Sequence, residues 1–325
     1  MQNIVSRIKR DVVNEVVRKT QLEFASQISM HLDNKIYLKR EDLTPVHSFK
    51  LRGAYHKIRT LNIRQLSKGV ITCSAGNHAQ GVAFSAKKLG IYAVIVMPKI
   101  TPKIKVDSVK SLGAEVILFG NSYDVAYDFS QNIAKKKGYT FIHAFDDLDV
   151  IAGQGTIAYE LLEQLDDIDY IFVPVGGGGL ITGIASVIKT QRPKIKIIGV
   201  EPVGSAAFTR SITSNTHAVL DEVDVFAEGV AVKKVGFENL RIAKKLVNGT
   251  VLVSNDEMCA AIKDIYNQNR YIVEPSGALA LAGIKRYIFD KQLHNNNIIS
   301  IVSGANMNFD RLRYITERAN LNEYN

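Results

Sequence analysis

The stretch YIFVPVGGGGL, running from Tyr170 to Leu180, decides the fold. It opens on an apolar run of strand length that breaks abruptly at Gly176, Gly177, Gly178 and Gly179. From residue 180 to 190 the apolar spacing predicts a helix. A strand, a glycine turn and a helix in that order are half of a parallel-sheet unit. Residues 170–188 also form 19 positions without a charge, long enough to be read as a membrane span. Pro174 and the four glycines argue against a lipid-facing helix, so a soluble protein is expected.

Working outward, the same alternation fills the chain. Residues 70–73, 92–97, 115–119 and 140–145 read as strands, and residues 77–89, 102–112 and 123–137 have helical spacing. After Asp146-Asp147 the pattern restarts. Strands are predicted over 170–175, 196–200, 250–253 and 298–302, with helices near 150–164, 180–190, 257–269 and 277–289. The expectation is an α/β protein with two parallel-sheet lobes covered by helices, and a ligand site in the cleft between them. At the N-terminal end, Ile8, Val12, Val13, Val16 and Val17 fall on one face of a predicted docking helix over residues 6–19.

Composition narrows the partners. Hydrophobic content of 46% and charged content of 22% over 325 residues exclude a disordered or collagen-like chain. The net charge is +9, but the basic residues are scattered. Their densest run, Lys135 to Lys137, ends a predicted helix, where cations suit the dipole. With no nucleic-acid motif, the charge is read as solvated surface, compatible with an anionic small-molecule ligand. Cys73 and Cys259 make neither a disulfide framework nor a metal cluster and point to a reducing cytoplasm. No apolar stretch follows Arg7, Lys9 and Arg10, so no signal peptide is expected.

Five short motifs could carry chemistry. Consecutive glycines before a helix let N–H groups converge on an anion, most simply a phosphate. A dinucleotide fingerprint fits less well, although Glu201 ends the next strand: counted from Gly176 or Gly177, the third glycine would fall at Ile181 or Thr182, and Gly183 is one place off. Ser74-Ala75-Gly76-Asn77-His78 reads either as a helix cap or as a carboxylate cradle, and His78 has no metal partner at Val82. Within Ser48–Gly53, Lys50 enters a helix; it is either a solvated side chain or, if desolvated, a Schiff-base lysine. Ser303-Gly304-Ala305-Asn306 follows a very apolar strand, and Glu274-Pro275-Ser276-Gly277 opens a small-residue helix suited to close packing.

Taken together, these motifs resemble the fold-type II pyridoxal-phosphate enzymes (tryptophan synthase β-like), in the serine/threonine dehydratase group. The likeness runs from about Ile36 to Asn322. It also takes in Lys39-Arg40-Glu41-Asp42, Pro45 to Ala54, and Phe226-Ala227-Glu228-Gly229-Val230-Ala231-Val232. The resemblance implies that Lys50 binds pyridoxal 5'-phosphate covalently with Phe49 beside the ring. It implies that Asn77 meets the ring hydroxyl, Gly176, Gly177, Gly178, Gly179 and Leu180 hold the phosphate, and Ser303 faces the ring nitrogen. Ser74, Ala75, Gly76, Asn77 and His78 are assigned to the substrate, with Lys50 and Ser303 as the catalytic pair.

The biosynthetic threonine-deaminating branch is the nearest likeness. It implies conversion of L-threonine to 2-oxobutanoate and ammonia, the entry to isoleucine, with weaker action on L-serine. The alternatives are a serine dehydratase or a catabolic threonine dehydratase, with a serine racemase or a nicotinamide oxidoreductase ranked below. Racemases of the group carry a serine where this chain has Ala75, so negligible racemisation is expected. The implied organisation is a large lobe from residues 1–57 and 148–325 and a small mobile lobe from 58–147, in a homo-oligomer, dimer or tetramer. The branch usually continues into a regulatory domain that binds isoleucine or valine. This chain ends at Asn325, so insensitivity to isoleucine is expected. Thr20-Gln21-Leu22 departs from the group's usual Thr-Pro-Leu. Relatives often bind a cation near Glu201, but Glu201 and Glu228 read better as capping or surface carboxylates, and no metal ligand is assigned.

Overall fold

The protein is described by a computed structural model covering residues 2–321; Met1 and residues 322–325, Asn322 at the end of the resemblance included, lie outside the described residues. Ten strands run in chain order as β1 (Leu22–Phe24), β2 (Lys35–Arg40), β3 (Val70–Cys73), β4 (Ala93–Met97), β5 (Glu115–Leu118), β6 (Thr140–Phe141), β7 (Tyr170–Pro174), β8 (Lys196–Pro202), β9 (Gly249–Val253) and β10 (Asn297–Val302). They form a six-stranded sheet in the order β1-β2-β10-β7-β8-β9 and a four-stranded sheet in the order β5-β4-β3-β6. The larger sheet takes strands from both ends of the chain, and the smaller one is inserted between β2 and β7.

Central strands β7, β3 and β4 are buried at every position, as continuous apolar runs covered by helices on both faces require. Helices Asn77–Leu89 and Tyr123–Lys137 begin and end where the apolar spacing places them. Both close on a left-handed glycine, Gly90 and Gly138, a conformation that avoids a Cβ clash, and the Gly90 N–H returns to the carbonyls of Ala86 and Lys87. The apolar stretch after Tyr170 divides into β7 and the helix Gly179–Gln191. Among the described residues, no helix is long and apolar enough to cross a membrane.

The two parallel sheets expected are present, with β1 added antiparallel to β2 at the edge of the larger one. Two expectations are corrected. The strand predicted over residues 140–145 pairs only at Thr140 and Phe141. Beyond them the chain leaves the sheet in a turn, where His143 Nδ1 accepts the amides of Phe145 (3.2 Å) and Asp146 (2.9 Å). Of the docking helix expected over residues 6–19, only Arg10–Asn14 is helical, and a separate short helix, Gln2–Val5, precedes it. Lys9 N–H donates to His56 Nε2 at 3.2 Å, and Arg7 pairs with Asp149 at 2.7 Å, which draws the intervening backbone out of helical register. The apolar face survives the break: Val13 and Val17 are buried beside Val46, Leu51 and Tyr55, and Ile8 packs on the other core.

Candidate active site

Lys50 is the first residue of the helix Lys50–Arg59, and its position is fixed by the loop before it. Phe49 N–H donates to Ser303 O at 3.1 Å, Ser48 bridges Gly304, and Ala305 N–H donates to His47 O at 2.9 Å. The lysine loop is thereby stitched to the end of β10. His47 carries a left-handed φ of 54°, an uncommon conformation for a residue with a Cβ, held here by those cross-bonds. The Lys50 amine donates to Ala144 O at 3.1 Å, in the turn leaving the smaller sheet. Burial pushes its pKa down to about 8, against the opposing pull of the Glu274 carboxylate. Desolvation costs the ammonium more than it costs the neutral amine.

Lys50 opens on a cavity also lined by Phe49, Asn77, Gly176 to Gly179, Leu180 and Ser303. Residues scattered through most of the chain therefore meet at one place. The tetraglycine joins β7 to its helix and lines the cavity. Among the described residues, the N–H groups of Gly176 to Leu180 donate to no backbone or side-chain acceptor. Five unpaired amides at a helix N-terminus fit an anion such as phosphate. Only glycine is accommodated here: Gly178 has φ 92°, and a Cβ on Gly177 would lie 2.2 Å from the Phe145 ring.

The remaining polar groups are held in place. Ser303 donates its hydroxyl proton to Ser276 O at 2.9 Å. Asn77 donates to Glu274 Oε1 at 2.8 Å, and its own Oδ1 accepts from Asn306 Nδ2 at 2.7 Å. Glu274 is the one carboxylate among the described residues lining the cavity. Burial pushes its carboxyl up, against the hydrogen bonds from Ser276 and Asn77.

The loop Ser74–Gly76 lies half-buried beside the cavity; Gly76 N–H donates to Ser74 Oγ at 3.3 Å, and open space faces Gly76. His78 is not at the cavity. Its ring is buried behind the loop, with Nε2–H donating to Ile142 O at 3.0 Å and Nδ1 without a partner. Burial, then the charge of Lys50, pushes it down to about 3. Glu201 accepts the amides of Phe208 (2.8 Å) and Thr209 (2.7 Å), and so caps the helix Ala207–Thr213. Glu228 pairs with Lys105 and Arg311. Glu274, Ser276, Phe145 and Val230 line the cavity without having been singled out for it in the sequence. Glu274 and Asn77 lie 197 positions apart, and no local pattern couples them.

These groups fit pyridoxal phosphate: a desolvated lysine for its aldehyde, free amides for its phosphate, and Asn77 and Ser303 for a polar ring. Similarity to known proteins points the same way. L-Threonine dehydratase biosynthetic IlvA of Pasteurella multocida is 51% identical over 311 residues, covering 96% of this chain and 61% of that protein. The chloroplastic biosynthetic threonine dehydratase of Arabidopsis thaliana is 53% identical over 310 residues, covering 95% and 52%. The chain thus spans between half and two thirds of the length of these curated relatives. The processed form of threonine deaminase isoform 2 from Solanum lycopersicum superposes with a TM-score of 0.97 at 46% identity, covering 99% of this chain and 88% of that one. A family model described as pyridoxal-phosphate dependent enzyme matches residues 13–304, from the helix Arg10–Asn14 to the loop beside Ser303, and the chain belongs to that family, in its fold-type II branch.

Proposed function

We propose that the protein converts L-threonine to 2-oxobutanoate and ammonia, with weaker action on L-serine, as the entry step to isoleucine. The observation that carries this is the meeting of one half-buried lysine, donating to Ala144 O, with five free amides across a single cavity. The names of relatives near 50% identity support the choice of threonine.

In this reading Lys50 holds the cofactor's aldehyde, Gly176 to Gly179 with Leu180 hold its phosphate, and Asn77 and Ser303 orient its ring beside Phe49. When bound, pyridoxal phosphate supplies a conjugated ring that accepts electron density from the substrate's α-carbon. Lys50 Nζ removes the α-proton, a role suited to an amine brought down to about 8 by burial. The Ser74–Asn77 loop, at the N-terminus of the helix Asn77–Leu89, binds the substrate carboxylate through its amides and the Ser74 hydroxyl. Loss of the β-hydroxyl as water, then hydrolysis of the enamine, releases the keto acid and ammonia. Ala75 offers no acid–base group on the face away from Lys50, which favours elimination over racemisation. The segment 58–147 acts as a small lobe that closes over the rest, and the protein works as a homo-oligomer.

The test is 2-oxobutanoate formation from L-threonine by the holoprotein, with Lys50→Ala as control. Product from the native chain alone supports the reading. A native protein that binds the cofactor but makes no 2-oxobutanoate overturns the substrate assignment.

A further inference from the structure

Asn77 and Ser303 come from different elements, yet one hydrogen-bonded chain joins them. Asn77 Nδ2 donates to Glu274 Oε1 at 2.8 Å, and Ser276 Oγ donates to the same oxygen. The carbonyl of Ser276 then accepts from Ser303 Oγ at 2.9 Å. On the other side, Asn306 Nδ2 donates both to Asn77 Oδ1 (2.7 Å) and to Val46 O (2.8 Å). Both ends of the Asn77 amide therefore have fixed partners, and its orientation is determined. Glu274, Ser276 and Ser303 are all buried, so a lost partner leaves a donor or acceptor with little solvent to replace it.

We propose that Glu274 and Ser276 are positioning residues that hold Asn77 and Ser303 in register with each other across the cofactor cavity. The inference rests on the assignment of Asn77 and Ser303 to the cofactor ring made above. Ser276 is the junction: its side chain serves Glu274, and its carbonyl serves Ser303. The carboxylate serves as an acceptor shared by two donors, a task that a glutamine carbonyl oxygen can also perform.

The test compares native, Glu274→Ala, Glu274→Gln and Ser276→Ala holoproteins by the visible absorption band of bound pyridoxal phosphate and by its Kd, alongside threonine turnover. Glu274→Ala is expected to shift the band and raise the cofactor Kd by about tenfold or more, the loss expected when buried donors are left unpaired. Glu274→Gln, which keeps the shared acceptor, is expected to stay within roughly threefold of the native Kd, with the band in place. A native Kd and band in Glu274→Ala overturn the proposal, as does Glu274→Gln matching Glu274→Ala. If Glu274→Ala does not fold, Ser276→Ala decides: a shifted band supports the proposal, and a native band overturns it. Absent threonine turnover in a native protein with normal cofactor binding refutes the substrate assignment alone, because the band and Kd still decide this one. A native chain that binds no cofactor overturns both.

Discussion

Arg52 lies two residues after Lys50 with its guanidinium completely buried, and replacing it with methionine should unfold the protein far more readily than an ordinary core substitution. The fork donates to Glu41 at 2.7 and 2.9 Å, to Glu160 at 2.6 and 3.1 Å, and to Thr156 at 3.1 Å. Lys39 Nζ, also buried, donates to Glu160 at 2.6 Å. Two cations thus balance two carboxylates inside the protein. Burial pushes Glu160 up, but Arg52 and Lys39 outweigh it and hold the carboxyl below its ordinary range. Arg52→Met leaves two carboxylates facing one ammonium, an uncompensated buried charge worth about 3–5 kcal/mol. That is roughly a factor of 10²–10⁴ in the folding equilibrium. The assay is equilibrium urea unfolding followed by circular dichroism. The double variant Arg52→Met/Glu160→Gln restores the charge balance and should recover at least about 1 kcal/mol relative to the sum of the single effects. An Arg52→Met loss below about 1 kcal/mol, or strict additivity in the double variant, would refute the charge-balance argument.

Other variants probe the site and its surroundings. Ser303→Asp removes the proton donated to Ser276 O and places an anion beside that carbonyl; cofactor affinity and threonine elimination should both fall sharply, and unchanged turnover contradicts this. Gly177→Ala drives a methyl into the Phe145 ring, an overpacking cost of about 1–3 kcal/mol, read as weaker cofactor binding and a lower Tm; native values for both would sink the cradle assignment. His78 stays neutral in the folded protein down to about pH 3, whereas the unfolded chain protonates it near the ordinary value of 6.5. The unfolded state binds the extra proton between those two values, so stability should fall as pH drops through that window, by about 1.4 kcal/mol per pH unit at the steepest. His78→Asn should flatten this part of the urea-unfolding profile, and an unchanged slope would show that other groups carry it.

Some of this was settled within short stretches of chain. The limits of the helices Asn77–Leu89 and Tyr123–Lys137, the β7–glycine–helix unit and the burial of Val13 and Val17 follow from apolar periodicity, side-chain type and glycine. Each depends on neighbours within a turn or two, so each is legible without the fold. Lys50, the tetraglycine and Ser303 could be marked as chemistry by type and context for the same reason. Tertiary structure decided how they meet. Ser303 and Lys50 line one cavity because Phe49 and Ser48 bond to the end of β10, some 250 residues away in sequence. His56 and Asp149 break the N-terminal helix that periodicity alone predicts, and His78 turns away from the cavity toward Ile142. Glu274 reads as the start of a small-residue helix until the fold brings Asn77 against it. Hydrogen bonds between distant segments have no period in the sequence: whether a polar group becomes a cap, a buried anchor or part of a site depends on which partners the packed sheets bring within 3 Å of it.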